Sequence, residues 1–299
     1  MPSTTPPPQT FRILMLHGYA QSSERFRVKA RLLTEKISAA LLPHILRAYP
    51  DGIEFIFPDA PFSFGGDGDE STGLESRAWW LNLDDVSQYI GLEETLIRLS
   101  ESLNARPIHA AVGFSQGGAL AAMITALCDA STNLKRRDAL VKQGLPVESF
   151  LRNLPGQQPL SFVVCISGFR GTMKYYSSFY EPILSTPSFH IIAKLDTMVA
   201  EIKSRDLVHV FQSPEVAHHG GGHYIPRDRA LLETVGEFVG RAYIKRVYGF
   251  EQEPGTLETE RRVSQGKSNA RPASPISKQQ FMRRRVTSIC TFGARPGLR

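Results

Sequence analysis

Short runs of apolar residues recur along the chain, each followed by a segment long enough for a helical crossover. The runs are Phe11–Leu16, Ile53–Phe57, Ile108–Phe114, Phe162–Ser167 and Phe189–Ala193. Most are apolar at nearly every position rather than at alternate positions, which is typical of parallel strands buried on both faces. The sequence therefore predicts an α/β domain with a mostly parallel central sheet flanked by helices on both faces.

The segments between these runs carry helix, loop and turn patterns. Apolar residues at helical spacing predict helices over 23–46, 92–103, 117–127 and 231–244. Pro61–Gly73 is rich in Gly and Asp, which predicts a loop, whereas residues 129–159 look polar and irregular. Leu207–Phe211 is a candidate for one more strand. In a parallel sheet of this kind, reactive groups lie in the loops at the carboxyl ends of the strands.

Charge is distributed unevenly over the 299 residues. The net charge is +6, but residues 245–299 contain 12 basic and 4 acidic side chains, so the remaining residues are slightly acidic. The basic character belongs to a tail, and the body shows no nucleic-acid-binding surface. We expect a disordered segment over residues 1–10, one α/β domain over 11–249, and a mostly disordered basic tail over 250–299.

Composition excludes several other classes of protein. No apolar run reaches the 18 residues of a membrane span, and the first residues lack the pattern of a secretory signal. The three cysteines form no CxxC pair, so neither a disulfide framework nor a zinc site is expected. These features predict a cytoplasmic protein without a bound metal.

A nucleophile motif follows one of the predicted strands. Residues Gly113–Gly117 read Gly-Phe-Ser-Gln-Gly, directly after an apolar run and before a stretch of small residues. This strand–turn–helix setting is the one in which a G-x-S-x-G motif exposes its serine as a nucleophile. Ser115 is therefore the candidate nucleophile. The alternative is a Gly/Ser turn without chemistry.

A serine hydroxyl needs a base, and the base needs an orienting acid. His223 follows three glycines late in the chain, and is the preferred base over His218 and His219. The spacing of His219 and His223 would suit a metal on a helix, but the glycines between them disfavour a helix. Asp196 follows an apolar run and is the preferred acid, with Asp206 as the alternative. The order Ser, Asp, His is that of the α/β-hydrolases.

Acyl transfer also needs two N–H donors for the oxyanion and a pocket for the acyl group. We expect the backbone N–H groups of Gln116 and Tyr19 to be the two donors, and the His17 side chain to be structural. A paired-tryptophan segment, Trp79 and Trp80, is predicted to wall the acyl pocket together with Phe169, with core packing as the alternative for one of the tryptophans.

Several of these segments together resemble one family, the fungal serine hydrolase (FSH) family, which has an α/β-hydrolase fold. The resemblance covers residues 11–249. It rests on Leu16-His17-Gly18-Tyr19, Pro58-Asp59-Ala60-Pro61, Arg77-Ala78-Trp79-Trp80, Gly113–Gly118, Ser167-Gly168-Phe169, Asp196 and Gly221–Pro226. One position departs from the pattern, because Ala193 stands where members often have Gly. The tail after Gly249 matches nothing in the family.

The resemblance implies hydrolysis of carboxylic esters or acyl thioesters by a Ser-Asp-His triad without a cofactor. The family includes an ovarian-cancer-associated homologue and fungal enzymes that act beside polyketide synthases. It therefore suggests a role in fungal secondary metabolism and a small-molecule substrate, free or borne by a carrier protein. The alternatives are a lipase-like or peptidase-like hydrolase on the same triad, and a ligand-binding protein on a hydrolase scaffold.

Overall fold

The computed structural model describes residues 9–63, 76–82 and 87–249. Most of the predicted N-terminal segment, the predicted tail over 250–299 and residues 64–73 of the predicted loop lie outside the described residues. The strands in chain order are β1 (Phe11–Leu16), β2 (Ile53–Ile56), β3 (Phe62–Ser63), β4 (Arg77–Ala78), β5 (Ala110–Phe114), β6 (Phe162–Ile166), β7 (Ser188–Ala193) and β8 (Pro214–His219).

Seven α-helices connect or cover these strands in the described part of the chain. They are α1 (Ser23–Ile45), α2 (Leu92–Ser102), α3 (Gln116–Asp129), α4 (Leu134–Lys142), α5 (Val147–Asn153), α6 (Glu201–Val208) and α7 (Arg229–Tyr248). A short 3₁₀ helix spans Lys174–Phe179. None of the helices in the described ranges combines the length and hydropathy that a bilayer span requires.

The main sheet has six strands in the order β2-β1-β5-β6-β7-β8, and every neighbouring pair is parallel. Strand β1 shows how the two faces are covered. Phe11, Ile13 and Met15 pack toward α1 and α7, whereas Leu14 and Leu16 pack toward the core around α2 and α3. The α/β fold with a parallel sheet buried on both faces is confirmed, and it explains why the strands are apolar throughout.

Two segments differ from the sequence-based predictions. The stretch over 129–159 is not irregular, since it contains α4 and α5. Helix α4 buries the charged Arg136, which pairs with Asp129 at 2.6 Å, so the apolar spacing expected of a helix is broken. Leu207–Phe211 is not a strand either, because Leu207 belongs to α6, and the edge strand β8 follows it.

The carboxyl ends of the parallel strands bring together segments that are distant in the sequence. His17 follows β1, Ser115 follows β5 and Phe169 lies three residues beyond β6. Asp196 lies three residues beyond β7 and His223 four residues beyond β8. Because the strands are parallel, all of these residues lie at one edge of the sheet.

Candidate active site

Ser115 occupies a sharp turn between β5 and α3. Its backbone has φ +55° and ψ −119°, a conformation that L residues rarely adopt and that costs about 1–3 kcal/mol. The turn requires glycine on both sides. A Cβ on Gly113 would lie 2.0 Å from the Gly117 carbonyl oxygen, and one on Gly117 would lie 2.1 Å from the Leu16 carbonyl oxygen. The G-x-S-x-G motif is thus a steric requirement of this turn.

A chain of hydrogen bonds joins Ser115, His223 and Asp196. The Ser115 hydroxyl donates to His223 Nε2 at 2.9 Å, and His223 Nδ1–H donates to Asp196 Oδ2 at 2.7 Å. Ser115 is 8% exposed, and the Asp196 side chain is 3% exposed. The structure therefore brings together the three residues that the sequence suggested, with the imidazole between the hydroxyl and the carboxylate.

The Asp196 carboxylate is held by the backbone as well as by His223. Its Oδ1 atom accepts the N–H groups of Met198 at 2.9 Å and Val199 at 2.8 Å. Burial works to raise the pKa of Asp196, but the hydrogen bonds from His223 and from the two N–H groups outweigh it, so the pKa is lowered. The group is thus kept ionised and fixed in orientation.

The loops that carry Asp196 and His223 are tied to each other. Leu195 N–H donates to the Gly221 carbonyl at 3.0 Å, and the His223 ring packs against Phe114 with their centroids 4.8 Å apart. Ala193, the position that departs from the expected family pattern, ends β7 without preventing this arrangement. The imidazole is positioned by its two hydrogen bonds and by the Phe114 ring.

The alternative residues occupy other positions. His218 and His219 belong to β8; His218 lies 3.6 Å from Glu201, and His219 accepts the Gly221 N–H at 3.3 Å. Asp206 lies on α6. Within the described ranges, no group of three His, Cys, Asp or Glu side chains is arranged to hold a metal ion.

The proposed oxyanion donors flank Ser115. Gln116 is the first residue of α3, where backbone N–H groups have no acceptor within the helix. Gly18 packs against the nucleophile, since a Cβ there would lie 3.3 Å from Ser115 Cβ. The peptide group that joins Gly18 to Tyr19 is therefore adjacent to the serine.

His17 anchors this peptide group, a role that sequence reasoning did not specify. The fully buried ring donates from Nδ1 to the Gly18 carbonyl at 2.8 Å and accepts the Ala60 N–H at Nε2 at 3.0 Å. Since C=O and N–H of a trans peptide point in opposite directions, this bond directs the Tyr19 N–H away from His17. The pKa of His17 is lowered, chiefly by burial, so the ring is kept neutral for both bonds.

The Gln116 side chain links the tryptophan segment, Trp79 and Trp80, to the turn that holds Ser115. Its Oε1 atom accepts the Trp79 N–H at 3.0 Å, and its Nε2 atom donates to the Trp80 carbonyl at 2.8 Å. The Trp79 indole N–H donates in turn to the His17 carbonyl at 2.8 Å. The segments that carry the two proposed donors, Gln116 and Tyr19, are thus connected through one buried network of hydrogen bonds.

The predicted pocket residues differ in their surroundings. Trp79 is 1% exposed and hydrogen-bonded through its indole, as a core residue would be. Trp80 is 2% exposed, and its ring lies 6.4 Å from that of Phe169 and 5.2 Å from that of Tyr89. That these residues wall an acyl pocket stays a prediction.

Known serine hydrolases are similar to this chain in sequence. The sequence profile described as Serine hydrolase (FSH1) matches residues 5–235. The chain belongs to the FSH1 serine hydrolase family. Family of serine hydrolases 2 from Saccharomyces cerevisiae is 31% identical over 244 residues, covering 77% of this chain and 98% of the relative.

Other similar proteins carry esterase names. Esterase OVCA2 from Danio rerio is 28% identical over 253 residues, covering 77% of this chain and 96% of the relative. Among solved structures, SOBER1 from Arabidopsis thaliana is 19% identical with a TM-score of 0.47, covering 78% of this chain and 99% of that chain. The family places this protein among the hydrolases with an α/β-hydrolase fold, in agreement with the resemblance seen in the sequence.

Proposed function

We propose that the protein is a serine esterase or thioesterase in which Ser115, His223 and Asp196 form the catalytic triad. The observation that supports this proposal most is the pair of hydrogen bonds through His223, 2.9 Å to Ser115 and 2.7 Å to Asp196. Nucleophile, base and orienting acid are within the reach that general-base catalysis requires.

Acylation uses the first of these bonds. Ser115 Oγ gives its proton to His223 Nε2 and forms a bond with the substrate carbonyl carbon, whose oxygen becomes an oxyanion. When the tetrahedral intermediate collapses, the C–O or C–S bond to the leaving group breaks. The departing alkoxide or thiolate takes the proton from Nε2, and the acyl group remains on Ser115. Asp196 stabilises the imidazolium that forms between these steps.

Deacylation repeats the sequence with water. A water molecule gives a proton to His223 Nε2 and adds to the acyl carbon, and Ser115 then leaves and takes the proton back. The backbone N–H groups of Gln116 and Tyr19 bind the oxyanion in both halves, which typically contributes about 3–4 kcal/mol per donor. No cofactor takes part in this scheme.

The substrate we propose is a small acyl ester or acyl thioester, with Trp80 and Phe169 beside the acyl group. A carrier-protein thioester and a place in fungal secondary metabolism are the finer forms of this proposal. Relatives named as esterases support the ester chemistry. A cytoplasmic location stays a prediction.

Hydrolysis of p-nitrophenyl butanoate and of a butanoyl thioester by purified protein tests the proposal. We expect Ser115→Ala to lower kcat by about 10⁴–10⁶, because the nucleophile is lost. Ser161→Ala is the matched control, since Ser161 is also buried but directly precedes β6, at the opposite end of that strand from the site. It should keep the wild-type rate within about twofold, the range expected of a substitution outside the catalytic machinery.

The possible outcomes separate the proposed enzyme from the alternatives. A rate for Ser115→Ala equal to that of the wild type would show that the serine is not the nucleophile. Absence of turnover on all ester and thioester substrates would favour a ligand-binding protein instead. Faster cleavage of peptide amides than of either acyl substrate would favour a peptidase-like hydrolase.

A further inference from the structure

A cleft of about 520 Å³ opens beside the His223 imidazole. Its walls come from the loop before α1, from α1 itself, from the end of β5 and from the segment that leads into α7, and they include Gln21, Lys29, His223 and Arg227. This volume is within the range of small-molecule sites. Only His223 among these side chains takes part in the proposed chemistry, so the rest of the lining has no assigned role.

The position of the cleft indicates which part of a substrate it would hold. In the proposed mechanism, His223 Nε2 donates its proton to the leaving group, so the leaving atom lies next to the imidazole. The carbonyl oxygen points instead toward the N–H groups of Tyr19 and Gln116. A cleft that has His223 in its wall is therefore suited to the leaving group rather than to the acyl chain.

Two unpaired cations give this cleft its charge. Lys29 and Arg227 are exposed, and neither forms an ion pair with any carboxylate among the described residues. The third charged residue of the lining is Asp228, whose Oδ1 atom accepts the Leu231 N–H at 2.9 Å as the cap of α7. The lining thus contains two cations that are free to meet an anion and one carboxylate already engaged by the backbone.

The arginines two residues further along the chain, Arg31 and Arg229, are ion-paired. On α1, Arg31 pairs with Glu35 at 2.6 Å, and on α7, Arg229 pairs with Glu233 at 3.0 Å. Arg31 and Arg229 thus have acidic partners one turn away, whereas Lys29 and Arg227 form no ion pair among the described residues.

The cleft also contains a polar atom without a partner. The side-chain oxygen Gln21 Oε1 is buried and accepts no hydrogen bond from any described residue. A buried amide oxygen left unpaired costs about 1–3 kcal/mol, and rotation of the Gln21 amide toward the cleft would let a ligand N–H or O–H remove that cost. The lining therefore combines positive charge with a hydrogen-bond acceptor.

We propose that this cleft binds an anionic leaving group, one that carries phosphate or carboxylate groups together with N–H or O–H donors. Lys29 and Arg227 contact the anion, and Gln21 accepts a hydrogen bond from the same group. The proposal rests on the serine-hydrolase function above, because the cleft is assigned through the proton donated by His223.

Three thioesters of the same acyl group test the proposal. Butanoyl coenzyme A has a phosphate-bearing leaving group, S-butanoyl glutathione a carboxylate-bearing one, and S-butanoyl N-acetylcysteamine an uncharged one. We expect a higher kcat/KM for at least one charged thioester than for the uncharged one, mainly through a lower KM. Whichever charged thioester is favoured identifies the source of the anion. Added salt should reduce this advantage, because the two cations are exposed and their attraction is screened.

Single substitutions assign the effect to the cleft. Lys29→Ala and Arg227→Ala should each lower kcat/KM for the favoured charged thioester by about fivefold, the upper range for an exposed ion pair, and change that for the uncharged thioester by less than about twofold. Arg31→Ala is the matched control. Arg31 is also a cation on α1, two residues after Lys29, and residues two apart do not share a helix face. It should change neither rate beyond about twofold. Free coenzyme A or glutathione should inhibit the wild type more strongly than either cleft variant.

Each other outcome overturns the inference in a distinguishable way. If all three thioesters are hydrolysed equally and the variants change none of them, the cleft does not bind an anion, while the proposed function stands. If the variants lower all three rates equally, the two side chains are merely structural. If no thioester or ester is hydrolysed, the proposed function and this inference fail together.

Discussion

Removing the hydrogen bonds of His17 tests how the oxyanion site is built. The ring donates to the Gly18 carbonyl from Nδ1 and accepts the Ala60 N–H at Nε2, with distances of 2.8 and 3.0 Å. His17→Leu removes both bonds from a fully buried position. The peptide group between Gly18 and Tyr19 then loses the contact that orients its N–H.

The two lost bonds have separate consequences. A misplaced Tyr19 N–H should lower kcat by about 10–100-fold, less than the 10²–10³ for complete loss of a donor, because the next residue, Ala20, still donates to the Arg77 carbonyl at 3.0 Å. The unpaired Gly18 carbonyl and Ala60 N–H should each lower the free energy of unfolding by about 1–3 kcal/mol. KM should change little, since the ground-state carbonyl depends less on this donor than the oxyanion does.

Two conservative variants separate rate from stability. An asparagine side chain can place an N–H near the position of His17 Nδ1, so His17→Asn should recover most of kcat. A glutamine side chain can place an acceptor near the position of Nε2, so His17→Gln should recover part of the stability without the rate. His190→Phe is the control, because His190 is also buried but bonds to Ser188 within β7.

The assay measures kcat and KM for p-nitrophenyl butanoate well below the unfolding temperature, together with urea unfolding of each variant. Equal kcat for the wild type and His17→Leu, with lowered stability alone, would refute the positioning role and with it the assignment of Tyr19. Equal losses of kcat in the Asn and Gln variants would show that histidine is needed at this position for its packing and not for the hydrogen bond from Nδ1.

Other predictions concern the stability of the fold and the turn at Ser115. Burial lowers the pKa of His190 to about 3, so below pH 6.5 the unfolded chain binds a proton that the folded chain does not. Stability should therefore fall as the pH drops from about 6.5 toward 3, and urea unfolding of His190→Phe should lose about 2 kcal/mol less than the wild type between pH 7.5 and pH 5. Gly117→Ala should yield little folded protein in a circular dichroism and solubility assay, because its Cβ would lie 2.1 Å from the Leu16 carbonyl oxygen; normal folding and activity would contradict the steric argument. Arg136→Met should lower the free energy of unfolding by about 3–5 kcal/mol in urea titrations, since it leaves Asp129 buried and unpaired. Arg137→Met, on the same helix as Arg136, breaks an exposed pair with Glu148 of α5 and should change the free energy of unfolding by less than about 1 kcal/mol.

Much of the fold was predictable because its signals are local. Buried parallel strands are apolar at nearly every position, and β1, β5, β6 and β7 were recognised for that reason. The turn at Ser115 was recognisable as well, because close backbone contacts leave no room for a Cβ at Gly113 or Gly117, two residues before and after the serine.

The segments that were missed depend on contacts distant in the sequence. Helix α4 has a buried arginine on its inner face, and this side chain is satisfied by Asp129 and by the carbonyls of Phe179, Pro182 and Ile183, all distant from it in the sequence or outside its helix. Strand β8 is partly exposed at the edge of the sheet and rich in histidine, so it lacks an apolar run. The same limit applies to His17, whose role depends on bonds to Gly18 and to Ala60 from a separate loop. The His-Gly pair after β1 was the available signal for it.

Covalent labelling tests the central claim most directly. A fluorophosphonate reacts with a serine hydroxyl only where a base activates it. Intact mass and peptide mapping of the wild-type protein should show one adduct, located on Ser115, and Ser115→Ala and His223→Ala should show none. Labelling of Ser115 that persists at the wild-type rate in His223→Ala, or an adduct on another residue alone, would contradict the account.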